Sequence, residues 1–268
     1  MPIEKEPASN ATAEKLLLVM ETLSAHTEPV RLIDLANELH MNSSTAYRFV
    51  TALVNCGYAV KTKDSDRYTM SLKLCQLADM IRSRYTIFSL LHSFVMEASE
   101  AFNESAHLSS RENNSIVYID NATNSSQMLS IRQYIGKVAP MHCTGVGKLF
   151  MLEYSMSELD AYVEEKGLIG YTPNTLTSKE ELINELNVIR KNGYAIDNEE
   201  CELGVRCVAV PIYDYSGKMV AGLSISGPSL RITEERIPEI SARMVNIAGR
   251  ASEVMGYKPV SINRYSFD

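Results

Sequence analysis

One stretch constrains the fold more than any other. From Leu35 to Arg48 the chain reads LANELHMNSSTAYR, which fits a short helix, a tight turn and the start of a second helix. Helices joined by so few residues must cross closely, and Ala36 is small enough to allow it. A further helical pattern precedes this pair, with Leu16, Leu17, Met20 and Leu23 at helical spacing between Thr12 and Ala25. The third helix has cap candidates at Asn42, Ser43 and Ser44, a core face of Ala46, Phe49, Val50 and Leu53, and a stop at Gly57. Two β patterns follow, Tyr58–Lys61 and Arg67–Met70, around the polar turn Thr62-Lys63-Asp64-Ser65-Asp66. Residues 12–75 therefore predict three helices with a hairpin attached, a winged helix-turn-helix, behind a flexible tail at 1–11.

The core face of the third helix leaves Ser44, Tyr47, Arg48, Thr51 and Asn55 on the opposite side. Polar groups projecting from the first turns of a helix suit readout in the DNA major groove, and phosphates can sit at its positive N-terminus. Between residues 41 and 75, Arg48, Lys61, Lys63, Arg67 and Lys73 outweigh Asp64 and Asp66. A basic hairpin beside a reading helix can clamp the neighbouring backbone. The expected DNA-contacting set is Asn42, Ser43, Ser44, Thr45, Tyr47, Arg48, Thr51, Lys61, Lys63 and Arg67. The same helix-turn-helix shape also occurs in modules that bind protein.

Beyond the hairpin, Leu74, Leu77, Ile81, Tyr85, Phe88, Leu91, Val95, Ala98 and Phe102 recur with a mean spacing of 3.5 residues. This predicts a long helix, a linker over 76–89 at its start, which either packs within its own domain or helps to form a dimer; Thr86 is a possible break. From Ser105 the texture is mixed: strands at Ile116–Ile119 and Leu129–Ile135, helices at Gly145–Leu152, Ser157–Lys166 and Ser178–Lys191, a hairpin of Val205–Tyr213 with Lys218–Ser226, and a closing helix near Thr233–Met255. Ser178 and Glu181 have capping-box spacing. Helices and strands in this order predict an α+β domain over 90–258, followed by a tail at 259–268.

Composition excludes several classes. The 268 residues carry a formal charge of −7, with 45% hydrophobic and 22% charged residues. That is an ordinary folded chain, and it is too acidic to coat nucleic acid nonspecifically. The apolar run Leu16–Met20 is far short of the roughly 20 residues that cross a bilayer, and Met1–Asn10 lacks the apolar stretch of a secretory signal. Cysteines at 56, 75, 143, 201 and 207 form no CxxC pair, which suits reduced thiols in a cytoplasm. No membrane association and no cofactor are expected.

The run MNSSTAYRFVTALVNCGYAV, then RYTMSLKLCQLA, resembles the winged helix of the IclR family of bacterial transcription regulators. IGKVAPMHCTGVGKLF, YTPNTLTSKEELINEL and NGYAIDNEECELGVRCVAVPIYDYSGKMVAGLSISGPSLR are similar to that family's effector domain. The likeness runs from about Thr12 to Tyr257. Within the family, SIVYID, YRF and VRCVAVPIYDYSG with AGLSIS are most similar to the branch that regulates 2-keto-3-deoxygluconate metabolism. Two positions depart from the family pattern: His40 stands where a turn glycine is usual, and Ala46 where valine is usual.

The resemblance implies a dimer or tetramer on double-stranded operator DNA, a GAF-like effector-binding domain, a small carboxylate effector such as a 2-oxo acid or sugar acid, and usually repression. It implies an effector pocket at Gly145, Val146, Asp197, Cys207, Ser224 and Ser226, with Met128, Ile131, Ala139 and Val205 as apolar walls. The chemistry is consistent: Gly145 and Val146 would start a helix whose free N–H groups favour a carboxylate, and Ser224 and Ser226 alternate on a strand, so both hydroxyls emerge on one face. Asp197 could accept from an effector hydroxyl or cap a turn. Cys207 suits a small wall residue.

Other motifs fail. GVGK at 145–148 is not a phosphate loop, since His142 replaces the first glycine and Leu149 the Ser or Thr. His107, His142, Cys143, Cys201 and Cys207 match no ordinary zinc spacing. Cys143 beside His142 is poorly placed to be a nucleophile with its base. Two other classes stay open: a metabolite-binding enzyme with a vestigial helical domain, which lacks a convergent acid–base pair, and a protein-binding helical adaptor, which leaves the basic wing unexplained.

Overall fold

The structure is a computed structural model that describes residues 10–63, 65–82, 86–123 and 127–258. The tails expected at 1–11 and 259–268 lie almost entirely outside the described residues, as do Asp64 of the hairpin turn and Tyr85 of the helical pattern. The chain divides into two compact units, Met1–Tyr85 and Thr86–Asp268.

The first unit runs α1 (Ala11–Ala25), β1 (Val30–Arg31), α2 (Leu32–Glu38), α3 (Ser43–Asn55), β2 (Ala59–Lys61), β3 (Arg67–Met70) and α4 (Lys73–Arg82). Val19 and Leu23 of α1, Leu35 of α2, Val50 and Leu53 of α3 and Tyr68 of β3 close one small core. The turn between α2 and α3 places His40 at φ 49°. This left-handed conformation usually favours glycine, and histidine tolerates it better than a branched residue does. The turn is closed by the Met41 N–H donating to the Ala36 carbonyl at 2.9 Å. The hairpin β2–β3 gains a third strand, because Val30 and Arg31 pair with Tyr68 and Arg67. Two residues are too few to give a sequence pattern.

The second unit runs α5 (Ile87–Phe102), β4 (Ser105–Glu112), β5 (Ser115–Ala122), β6 (Val138–Ala139), α6 (Gly145–Met151), α7 (Met156–Lys166), α8 (Lys179–Asn192), β7 (Ala195–Asn198), β8 (Val205–Tyr213), β9 (Met219–Pro228), a 3-10 turn at Glu234–Arg236 and α9 (Ile237–Val254). Its six strands pair antiparallel in the order β6-β5-β4-β9-β8-β7. Helices α5 and α9 cover one face with an apolar core. Helices α6, α7 and α8 cover the other. Capping boxes fix the starts of α7 at Ser155/Glu158 and of α8 at Ser178/Glu181.

Two sequence expectations are corrected, and one element is new. The helix from Leu74 to Phe102 is two helices: Thr86 caps α5, accepting from the Ser89 N–H while Ser89 returns the bond. The linker helix over 76–89 is thus α4 up to Arg82 and the cap and first turn of α5, and a heptad spacing does not by itself exclude a capped break. Residues 129–135, expected as a strand, form irregular chain, anchored by Arg231 donating to the Leu129 carbonyl at 2.8 Å and Asn121 donating to the Gln133 carbonyl at 3.1 Å. Strand β4 was not anticipated, because SAHLSSRE lacks the apolar alternation that marks a half-buried strand.

Candidate functional site

In the first unit, α3 buries Ala46, Val50 and Leu53 and exposes Ser43, Ser44, Tyr47, Arg48 and Asn55, with Thr45 and Thr51 half-buried. Asn42 is the N-cap residue, yet its side chain makes no capping bond. The expected reading face is therefore presented on one side of α3. On the hairpin, Lys63 is exposed. Lys61 is paired with Asp66 at 2.6 Å, and Arg67 donates to the Pro29 carbonyl at 3.0 Å. Lys73 donates to the Cys56 carbonyl at 2.6 Å and covers the Tyr58 ring. Part of the basic excess thus holds the hairpin together.

In the second unit, register places the site. Residues directly opposite each other on antiparallel strands point to the same face. Asp197 faces Cys207, Cys207 faces Ser226, and Ser226 faces Ser105. One step along, Ala195, Ala209, Ser224, His107 and Asn121 form a second row. A third row holds Pro211, Gly222, Ser109 and Tyr118. All three lie on the face that α6 covers. A Cβ on Gly222 would stand 2.5 Å from the Val146 side chain, and one on Gly145 would stand 3.0 Å from the Ala209 Cβ. Glycine at these two positions is what lets α6 lie close on the sheet.

Helix α6 starts at the middle of this face. Thr144 caps it, accepting from the Gly147 N–H at 3.2 Å, and the Lys148 N–H reaches the Thr144 carbonyl. The N–H groups of Gly145 and Val146 are first-turn groups with no intrahelical acceptor. Gly147 is required because a Cβ there would stand 2.3 Å from the Met141 carbonyl oxygen.

A buried ion-pair cluster stands behind. The Lys148 ammonium, fully buried, donates to Glu200 at 2.6 Å and Glu185 at 2.9 Å. Burial alone would lower its pKa, but the two carboxylates override that and raise it. Burial lifts Glu200 to about 7, against the opposing pull of Lys148. Burial likewise lifts Asp197 to about 6. Asp197 accepts the Glu200 and Cys201 N–H groups at 2.8 and 3.3 Å, so one of its oxygens caps the turn after β7. Cys143 and Cys201 meet with their sulfurs 3.4 Å apart. Burial and neighbouring negative charge raise the Cys207 thiol, and contact with Cys201 followed by burial raises Cys143, so both stay protonated and serve as wall groups.

Of the expected pocket residues, Gly145, Val146, Asp197, Cys207, Ser224 and Ser226 are brought together on this face. Val205 lies on the same side of β8, two residues before Cys207, and the Ile131 backbone lies beside His107. Two walls are corrected. Met128 is fully solvent-exposed, in a stretch without regular structure whose side chains no periodic pattern directs inward. Ala139 sits on β6, three strands from β9, and lines a separate cavity with His142, Tyr162, Ile169 and Tyr171. No sequence pattern singles out Tyr118 or Glu200, and Lys148 falls only in the failed phosphate-loop motif. His107 falls only in the failed metal-ligand set; its place opposite Ser224 depends on β4. Among the described residues, no group of His, Cys, Asp and Glu side chains could hold a metal ion, and no helix is long and apolar enough to cross a membrane.

Two family models match the chain. The IclR helix-turn-helix domain matches residues 12–63, and the bacterial transcriptional regulator IclR C-terminal domain matches residues 80–253. The chain is 33% identical over 257 residues to the HTH-type transcriptional regulator KdgR of Escherichia coli K12, covering 95% of this chain and 96% of that protein. Among solved structures, the Thermotoga maritima IclR superposes with a TM-score of 0.61 at 32% identity, over 92% of this chain and 99% of that one. The C-terminal domain of E. coli KdgR superposes with a TM-score of 0.57 at 35% identity, over 64% of this chain and 99% of that domain. These relatives are transcription regulators, not enzymes.

Proposed function

The chain belongs to the IclR family of bacterial transcriptional regulators, and on that premise we propose that it is a cytoplasmic, effector-controlled repressor of sugar-acid or related carboxylate catabolism. Helix α3 enters the major groove of operator DNA with Ser44, Tyr47, Arg48 and Thr51 towards base edges. Asn42, Ser43 and Thr45 at its start, and Lys61, Lys63 and Arg67 on the hairpin, contact phosphates. One α3 covers about half a turn of duplex, so the working form is a homodimer or tetramer on a near-palindromic site.

The effector is a small carboxylate, a 2-oxo acid or a sugar acid. Its carboxylate lies against the Gly145 and Val146 N–H groups, with Ser224 and Ser226 opposite. Asp197, Cys207, Val205 and Ile131 complete the enclosure. The observation that carries this reading is the convergence of two strand hydroxyls and a helix start on one buried sheet face. No arginine lies among these positions, so dipoles and hydroxyls hold a single negative charge.

In vitro selection of random duplexes by the purified full chain tests the DNA half. Wild type should enrich a near-palindrome, and Arg48→Ala should lose about 1–3 kcal/mol of specific affinity for it. No enrichment, or equal affinity of a folded Arg48→Ala protein, would contradict the assignment. Calorimetry with pyruvate and 2-keto-3-deoxygluconate on wild type and Ser224→Ala/Ser226→Ala tests the effector half; equal binding by both proteins would place the pocket elsewhere.

A further inference from the structure

The effector site just proposed has a wall that its expected residues do not use. Among the described residues, five buried side-chain atoms make no well-formed hydrogen bond: Ser105 Oγ, both ring nitrogens of His107, Ser109 Oγ and Glu200 Oε2, the His107 ring having only the Ile131 backbone nearby. Four of the five lie on alternate residues of β4, and all four face α6. Ser105 stands directly opposite Ser226, and His107 directly opposite Ser224. The three β4 side chains are essentially without solvent exposure. A buried hydroxyl or imidazole that has given up water without gaining a partner is costly, and three in a row on one strand are not an accident of packing. The Tyr118 ring sits edge-on to His107, at 5.5 Å between centroids.

Resting on the reading of this face as the effector site, we propose that Ser105, His107 and Ser109 form a second wall that binds the hydroxyl groups of the effector's carbon chain, so that the ligand is a polyhydroxylated acid and His107 selects it over 2-oxo acids that carry no hydroxyl groups.

The chemistry of the two walls differs in the required way. A carboxylate needs donors only. It finds them at the Ser224 and Ser226 hydroxyls. A hydroxyl both donates and accepts, and so does a neutral imidazole. Burial holds His107 neutral, lowering its pKa to about 4 against a smaller upward push from the Ile131 backbone and a further lowering by Lys137.

Calorimetry on the full chain with 2-keto-3-deoxygluconate, gluconate and pyruvate separates the possibilities. Wild type should bind at least one six-carbon acid tenfold or more tightly than pyruvate. His107→Leu should lose tenfold or more for that acid and leave pyruvate within twofold. His107→Gln, which keeps a donor and an acceptor, should retain most of the preference. Ser109→Ala gives the same test at a position where loss of folding is not expected, with a several-fold loss for the six-carbon acid alone. Equal binding of six-carbon acids and pyruvate by wild type, or an equal loss of both in His107→Leu, would overturn the second wall while leaving the carboxylate site standing. If none of the three acids binds wild type, or if Ser224→Ala/Ser226→Ala binds them as wild type does, the effector reading itself falls and the wall with it.

Discussion

The two faces of the six-stranded sheet are built from the same strands and to opposite ends. On one face, Ala106, Leu108, Val208, Val210, Leu223 and Ile225 meet α5 and α9 in an apolar core, and the buried Asp120 opposite Leu108 is bonded to His92 of α5. One residue away along the same strands, Ser105, His107, Ser109, Cys207, Ser224 and Ser226 meet the start of α6. Both faces are covered, although Cys207 on the second is only half-buried. The first is closed by hydrophobic contact, worth about 25 cal/mol per Å² removed from water. The second contains polar groups that the protein alone does not satisfy. Stability alone does not account for the unpaired groups of the second face, and this asymmetry supports the proposal that part of it binds a ligand.

The comparison can be broken at several points. The largest effect is expected at Lys148, which anchors the covering helix on the polar side. Lys148→Ala leaves Glu200 buried without its cation and should cost about 3–5 kcal/mol in urea unfolding. A loss under 1 kcal/mol would mean that the ion pair does not hold α6. On the apolar face, Leu223→Ala removes a fully buried side chain and should cost about 2–5 kcal/mol, with no effect on ligand preference.

A smaller effect is expected from pH. His107 titrates near 4 in the folded protein and near 6.5 in the unfolded chain. Between those values the unfolded chain binds a proton that the native state refuses, so stability falls as pH drops from about 6.5 towards 4. At pH 5 this amounts to about 2 kcal/mol relative to pH 7.5. His107→Gln should not show that part of the loss, and identical pH profiles for the two proteins would contradict the buried neutral imidazole. The smallest effect is expected at Ser105. Removing an unpartnered buried hydroxyl should leave the ligand-free protein within about 1 kcal/mol of wild type, on the stabilised side. A loss of 2 kcal/mol or more in Ser105→Ala would show that the hydroxyl has a structural partner.

The same contrast explains what was legible in the sequence. The apolar face, the capping box at Ser178/Glu181 and the helix-turn-helix follow from periodicity and local chemistry, and the structure has all of them. The serines of β9 are flanked by Leu223 and Ile225, so their alternation is visible too. Strand β4 was not legible because SAHLSSRE puts polar residues where a core pattern requires apolar ones. Nor was the position of Met128, since irregular chain has no period that fixes which side chains turn inward. The cluster of Lys148 with Glu185 and Glu200 joins residues 37 and 52 positions apart, a distance that no local pattern spans.

The most direct measurement of the central claim, that the polar face is a ligand site, is a crystal structure of the full chain grown with 2-keto-3-deoxygluconate. The account predicts the carboxylate about 3 Å from the Gly145 and Val146 nitrogens and the Ser224 and Ser226 hydroxyls, with a chain hydroxyl at a similar distance from a His107 ring nitrogen. Ligand bound elsewhere, with ordered water satisfying Ser105, His107 and Ser109, would contradict it.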